Sequence, residues 1–169
     1  SLVYFTLWPD KQYFFNHNGN CYIAFRQVGD IAVALGDPVG PLEEIAATIS
    51  EFTTMCHDNG WHPAFYQVLP DHLPLYRQIG LKALHIGDEA IVYLPNFNLA
   101  GKAFKNLRNT VNRFRREGFH SIYYEAPLDS HFINRLRSVS DDWLRHQGGE
   151  EKAFSLGWFD TEMLRHTPV

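Results

Sequence analysis

"CYIAFRQVGDIAVALGDPVGPLEEIAATISEFTTMCHDNGWHPAFYQVL", residues 21–69, changes its hydrophobic period twice. Two short apolar runs, Cys21 to Val28 and Ile31 to Leu35, flank the turn dipeptide Gly29-Asp30, which predicts a β-hairpin. Pro38 and Pro41 then end the strand pattern, because proline has no N–H to give to a ladder. Pro41 suits the first turn of a helix. Leu42, Ile45, Ile49 and Phe52 recur at helical spacing, so the stretch predicts a helix from Pro41 to Asn59, ended by "DNG". "HPAFYQVL" returns to a strand.

Further along, "HLPLYRQIG" predicts a short helix stopped by Gly80, and "LKALHIGDEAIVYL" an extended segment broken at "GD". A helix within residues 101–118 precedes the expected strand "FHSIYYEA". Residues 129–147 predict another helix, with Phe132, Leu136, Val139 and Trp143 on one side and Gly148-Gly149 closing it. "FSLGWFDTEML" fits neither period. This order mixes hairpins with crossovers, which argues an α/β fold with helices packed on a sheet rather than a doubly wound nucleotide-binding fold. With 169 residues, 45% hydrophobic and 15% aromatic, the chain is expected to form one domain with a sizeable core.

Charge is distributed unevenly. "GKAFKNLRNTVNRFRREG", residues 101–118, holds six of the fifteen Lys and Arg residues and one acid, Glu117. That local +5 sits in a chain of net charge −4, so the remainder carries −9. Phe104, Leu107, Val111 and Phe114 fall at i, i+3, i+7 and i+10, forming a narrow apolar seam expected to face the sheet. At about 100° per residue, Lys102, Lys105, Arg113 and Arg116 cluster opposite the seam with Asn109 and Asn112, flanked by Arg108 and Arg115. Like charges three or four positions apart repel by a few tenths of a kcal/mol per pair. A solvent-facing stripe is the plain reading, although such faces usually interleave Glu with Lys.

A phosphate-bearing ligand would offset the repulsion: Arg makes planar bidentate contacts, Lys supplies a point charge and Asn adds neutral donors. The stripe has no aromatic residue to stack a base, which favours nucleic-acid backbone or lipid headgroup over base reading. Its candidate phosphate-binding residues are Lys102, Lys105, Arg108, Asn112, Arg113, Arg115 and Arg116.

Other clusters carry less. "MCHDNGWH" brings Cys56, His57, Asp58 and His62 close in sequence, but not at a zinc-ligand spacing, and no metal is expected. "GDPVG" lacks the Lys-Ser/Thr end of a P-loop, so a tight turn is expected, with Asp37 as a cap. Asp88 and Glu89 are neighbours on an extended segment and point to opposite faces. Asp141 and Asp142 fall mid-helix. Two cysteines far apart in sequence suit a reducing compartment. No run approaches the ~20 apolar residues of a membrane span, and no signal peptide is legible. The chain has no initiating Met and ends on "RHTPV", which predicts a piece of a longer protein.

Five stretches, in order, carry a family likeness: "ALGDPVGP", "WHPAFYQV", "GLKALHIGDEAIVYLPNFNLAGKAFKNLRNTVNRFRREGF", "SDDWL" and "KAFSLGWFD". From about Ala34 to the end the chain resembles the soluble catalytic domain of the phosphatidylglycerol lysyltransferases, also called multiple peptide resistance factors, and their alanyl-transferring relatives. "LRNTVNRFRREGF" is also similar to a helix of the peptidoglycan-bridge aminoacyltransferases. The resemblance implies an acetyltransferase-like (GNAT-like) α/β fold, with a mixed, largely antiparallel sheet and helices on both faces. Residues 1–169 would be the first of two tandem halves, in the cytoplasmic domain of a bacterial inner-membrane protein. The implied reaction moves Lys or Ala from aminoacyl-tRNA to a hydroxyl of phosphatidylglycerol, without a cofactor, and confers resistance to cationic antimicrobial peptides. The implied partners are aminoacyl-tRNA, phosphatidylglycerol at an anionic membrane surface, the second half and an N-terminal transmembrane region. The family's catalytic positions lie largely in the later half, so none is assigned here. The alternatives are an acyl-CoA-dependent N-acetyltransferase, for which the Arg/Gln-x-x-Gly-x-Gly/Ala loop is missing, and a non-enzymatic nucleic-acid or membrane-surface binding module.

Overall fold

The computed structural model describes residues 2–148, 151, 154 and 158–169. The chain forms two compact units, Ser1–Leu84 with Leu136–Asp160, and His85–Arg135 with Thr161–Val169.

The first unit is built on a four-stranded sheet in the order β1-β2-β3-β4: β1 (Gln12–Phe15), β2 (Tyr22–Val28), β3 (Ile31–Leu35) and β4 (His62–Tyr66). β1–β2 and β2–β3 are antiparallel and β3–β4 is parallel, so the α/β fold with a mixed, largely antiparallel sheet is as expected. Val28 pairs with Ile31 across the Gly29-Asp30 turn, where Gly29 takes φ 62°, a conformation glycine adopts without a Cβ penalty. After β3 a 3-10 turn, Leu42–Glu44, leads into α1 (Ile45–Asp58), which supplies the crossover that a parallel pair requires. A second 3-10 turn, Pro70–His72, leads into α2 (Leu73–Gln78).

Register explains the core. Phe25 pairs with Ala34, and Ala34 with Phe65, so these three share one face of the sheet. The alanine leaves space between two phenylalanines, and Phe52 of α1, fully buried, fills it. Its ring lies edge-on to Phe25 (5.2 Å), Phe14 (5.6 Å) and Phe65 (5.6 Å), the geometry aromatic pairs prefer. Phe65 also packs at 4.7 Å on Tyr76 of α2, within a second cluster with Ile45 and Ile49.

"GDPVG" is a packing device rather than a phosphate loop. Tyr22 and Val39 exchange backbone hydrogen bonds of 3.0 and 2.8 Å. A Cβ on Gly40 would meet Cys21 Cα at 2.7 Å, so only glycine lets the two backbones approach. The other face of the sheet carries a buried cation. Lys11 pairs with Asp10 (2.6 Å), donates to the Phe154 carbonyl (3.0 Å) and lies over the Phe154 ring at 4.6 Å. Beside it, Trp8 stacks on Trp158 at 5.0 Å.

The second unit contains α3 (Lys105–Arg116), the first turns of α4 (Ser130–Gln147), and α5 (Thr161–Arg165). Asp129 Oδ1 accepts from the Phe132 N–H at 2.7 Å and caps α4. Ile133 is the buried residue of α4, whereas Val139 and Trp143 of the expected row are exposed. Tyr124 and Val169 exchange both backbone hydrogen bonds (2.7 and 3.0 Å), and the Leu128 N–H donates to the Arg165 carbonyl at 3.0 Å.

The strand expected over residues 119–126 is corrected, and the extended segment of residues 81–94 forms no strand either. Residues 81–93 and 119–126 have the apolar content of strands but join no ladder among the described residues. β-propensity marks side chains that fit a pleated surface, and a strand also needs a neighbour for its N–H and C=O groups. The expectation that the apolar seam of α3 is buried is also corrected, because no residue of α3 is buried. Gly149 and much of "KAFSLG" lie outside the described residues.

Candidate functional site

Helix α3 begins after Phe104 without an acidic residue in its first turn, and Arg113, Arg115 and Arg116 occupy its last. Cations there oppose the negative end of the helix dipole, which offsets part of their mutual repulsion. The candidate residues then divide by what they touch. Arg108 Nη1 donates to the Leu99 carbonyl and, at 2.7 Å, to that of Gly101, so this guanidinium fixes the loop that enters the helix. Arg113 Nε lies 3.9 Å from Glu117 Oε1, and its guanidinium lies 5.2 Å from the Phe114 ring centroid. Both partners of that ion pair are exposed, so it adds little stability.

Lys102, Lys105, Arg115 and Arg116 pair with no carboxylate among the described residues. Asn109, Asn112, Arg115 and Arg116 line one open hollow of about 510 Å³. Two guanidiniums and two carboxamides around one hollow present many N–H donors, a donor set suited to phosphate oxygens. Asn109 sits among these four; the sequence places it in the stripe beside Asn112 but it is not among the candidate phosphate-binding residues, and its position one helical turn from Asn112 and two from Arg116 is the signal for including it.

The remaining acidic and histidine clusters do not assemble such a site. Among the described residues no group of three His, Cys, Asp or Glu side chains is placed to hold a metal. Cys56 is buried as a free thiol, while His62 reaches Asp30 at 3.9 Å on the surface. Asp88 pairs with His85 (3.1 Å) and Asp142 with Arg145, all exposed.

Asp37 does more than the cap expected of it. Its carboxylate, at the C-terminal ends of parallel β3 and β4, accepts from the Leu69 N–H (2.9 Å) and the Tyr76 hydroxyl (2.8 Å), with His72 Nδ1 at 3.1 Å. It therefore ties the loop after β3 to the start of the 3-10 turn and to α2. Burial first, and then the Asp37 charge and hydrogen bond, raise the Tyr76 pKa. Burial likewise pushes the Cys56 thiol up to about 11. Both groups are neutral in the native state, and unfolding would return them to about 10 and about 8.5. The stability this provides is complete below about pH 8.5 and is lost as pH rises through about 11 for Cys56, and higher for Tyr76. Thermal melts followed by circular dichroism should show a falling Tm from about pH 9 upward. A Tyr76→Phe, Cys56→Ala double variant should show a flatter decline; an unchanged slope would place the alkaline sensitivity elsewhere.

The comparisons with known proteins agree with this fold. The family described as "Phosphatidylglycerol lysyltransferase, C-terminal" matches residues 1–169. A phosphatidylglycerol lysyltransferase of Bacillus subtilis is 35% identical over 160 residues, which is 95% of this chain and 18% of the relative. One from Staphylococcus aureus is 34% identical, over 95% of this chain and 19% of its own length. The solved structure of L-PGS from Bacillus licheniformis superimposes with a TM-score of 0.85 at 38% identity, over 94% of this chain and 50% of that one. The C-terminal domain of a lysylphosphatidylglycerol synthetase from Agrobacterium fabrum gives a TM-score of 0.86 at 33% identity, with the same coverage. The chain thus spans under a fifth of the curated relatives it matches and half of the solved ones.

Proposed function

The chain belongs to the phosphatidylglycerol lysyltransferase C-terminal family, and from that premise we propose that it is one GNAT-like half of a domain that moves an amino acid, Lys or Ala, from aminoacyl-tRNA to phosphatidylglycerol. In that reaction the lipid hydroxyl attacks the ester carbonyl and loses its proton, and the tetrahedral oxyanion needs donors until the tRNA hydroxyl leaves. This half contributes binding of a phosphate, and the general base and oxyanion donors belong to the other half. A transmembrane region elsewhere in the same protein would hold the domain at the cytoplasmic side of the membrane. No described helix of this chain is long and apolar enough to cross one.

One observation carries the reading: Arg115 and Arg116, unpaired among the described residues, share a hollow with Asn109 and Asn112 in a chain that is acidic as a whole. Both substrates carry phosphates. The test replaces Lys105, Arg115 and Arg116 together with Gln and measures binding to tRNA and to phosphatidylglycerol vesicles across a salt series. Each lost phosphate contact should flatten the tRNA salt dependence by about one unit of slope, so a loss of two to three units is expected. If affinity and slope stay as in the parent chain for both ligands, the stripe is a solvated face and binds nothing.

A further inference from the structure

The basic face of α3 is only half of what the helix exposes. Its seam is exposed as well: Phe104 at 36%, Leu107 at 45% and Phe114 at 43% of their full areas. Two further aromatics extend it. Phe97 meets Phe104 edge to face at 6.0 Å, and Phe119, at 64% exposure, meets Phe114 in the same way at 5.4 Å. The result is an apolar ridge running the length of the helix, about 18 Å at 1.5 Å per residue. Arg108 and Arg115 border it, and Lys105 and Arg116 lie beyond them.

RNA offers phosphates but no apolar layer, and the middle of the ridge, Leu107 and Val111, is aliphatic and gives bases no stacking platform. A bilayer surface offers both: anionic headgroups for the cations and acyl chains for the seam. A helix with Lys and Arg on one face and Phe and Leu on the other is suited to lie in the plane of that boundary. The long stem of Arg115, which borders the seam and pairs with no carboxylate among the described residues, can run along its apolar edge and deliver its charge to the phosphate level.

We infer that α3 is a membrane-surface helix, which seats its Phe104–Leu107–Phe114 seam at the boundary between headgroups and acyl chains of an anionic bilayer while its cations and the Arg115–Arg116 hollow engage lipid phosphates. The inference rests on the phosphate-binding reading above and names the partner of that site. It makes the helix a docking element as well as a ligand contact.

The test uses nitroxide labels on Leu107→Cys and Asn109→Cys. Cys21 and Cys56 are both buried, so labelling favours the introduced thiols, and the labelled parent chain gives the background. Binding is measured to vesicles of equal parts phosphatidylglycerol and phosphatidylcholine, and to phosphatidylcholine alone. On the anionic vesicles the label at 107 should gain collisions with oxygen and lose them with a water-soluble nickel chelate, while the label at 109 stays accessible to nickel. Phe104→Ser with Phe114→Ser should weaken vesicle binding by roughly tenfold or more and leave tRNA binding unchanged. With no α3 residue buried, these variants should keep the parent circular dichroism spectrum.

Salt-sensitive vesicle binding with the 107 label unmoved would overturn membrane seating and leave the phosphate reading standing. So would binding to tRNA without binding to vesicles, or spin broadening at 107 in solution, which would mean that a second copy of the chain covers the seam. Loss of neither ligand upon Arg115→Gln with Arg116→Gln would sink both readings together.

Discussion

Replacing Phe52 with Ala should cost the first unit about 3–5 kcal/mol, enough to shift its urea midpoint far below that of the parent chain. The magnitude follows from the site. Phe52 is fully buried, and three rings meet it edge-on from β1, β2 and β4. The space it fills is framed by Ala32 and Ala34, which cannot grow into the vacancy, so the cavity would persist rather than collapse. Whole domains are stable by only about 5–15 kcal/mol, so this one ring carries a large fraction. Phe52→Leu should cost less, because a branched aliphatic refills part of the volume. Leu42→Ala, on an exposed residue of the preceding 3-10 turn, should stay within about 0.5 kcal/mol. Trp61 lies 6.3 Å from Phe25, so its share of the emission from the four tryptophans reports this core. A Phe52→Ala midpoint near the parent's would mean that α1 is not seated on the sheet as described.

The same contrast between local and distant information decides what could be read in the sequence. The hairpin was legible because Gly29-Asp30 sits between two β-rich runs, and the crossover helix because Ile45, Ile49 and Phe52 repeat at one spacing; both signals are contained within a few residues. Residues 81–93 and 119–126 misled because their apolar content says nothing of a neighbouring strand. The cationic stripe was legible because six like charges stand within eighteen positions. Which of them are free was not legible. Arg108 is committed to two carbonyls set by the path of the entering loop, and nothing in the letter R marks that. Lys11 shows the limit most plainly: a lysine after "WPD" reads as solvent-exposed, yet it lies buried beside Asp10 and beneath the ring of a residue 143 positions away. "GDPVG" reads as a tight turn with Asp37 as its cap, and the partners of Asp37, 32 and 39 residues on, are invisible to any window.

Those distant partners make Asp37 the second large effect. Asp37→Ala should destabilise the first unit by about 2–3 kcal/mol. The carboxylate accepts two hydrogen bonds and has His72 Nδ1 at 3.1 Å, and the two donors it would abandon differ in how far water can replace it. Leu69 is exposed, so its N–H can turn to solvent at small cost. The Tyr76 hydroxyl belongs to a buried side chain and has no such outlet, so its full desolvation cost appears. Asp37→Asn should fall between, because a carboxamide keeps one acceptor oxygen and turns an NH2 group toward the other donor. A double-mutant cycle with Tyr76→Phe separates these contributions. Removing the hydroxyl first deletes the donor that Asp37→Ala strands, so the pair should cost at least 1 kcal/mol less than the sum of the singles, roughly the size seen for residues sharing a buried hydrogen bond. Additive costs would show that Asp37 acts through its charge or through the Leu69 turn alone. A coupled cycle would identify this carboxylate as the link that holds the C-terminal ends of the parallel strands to α2.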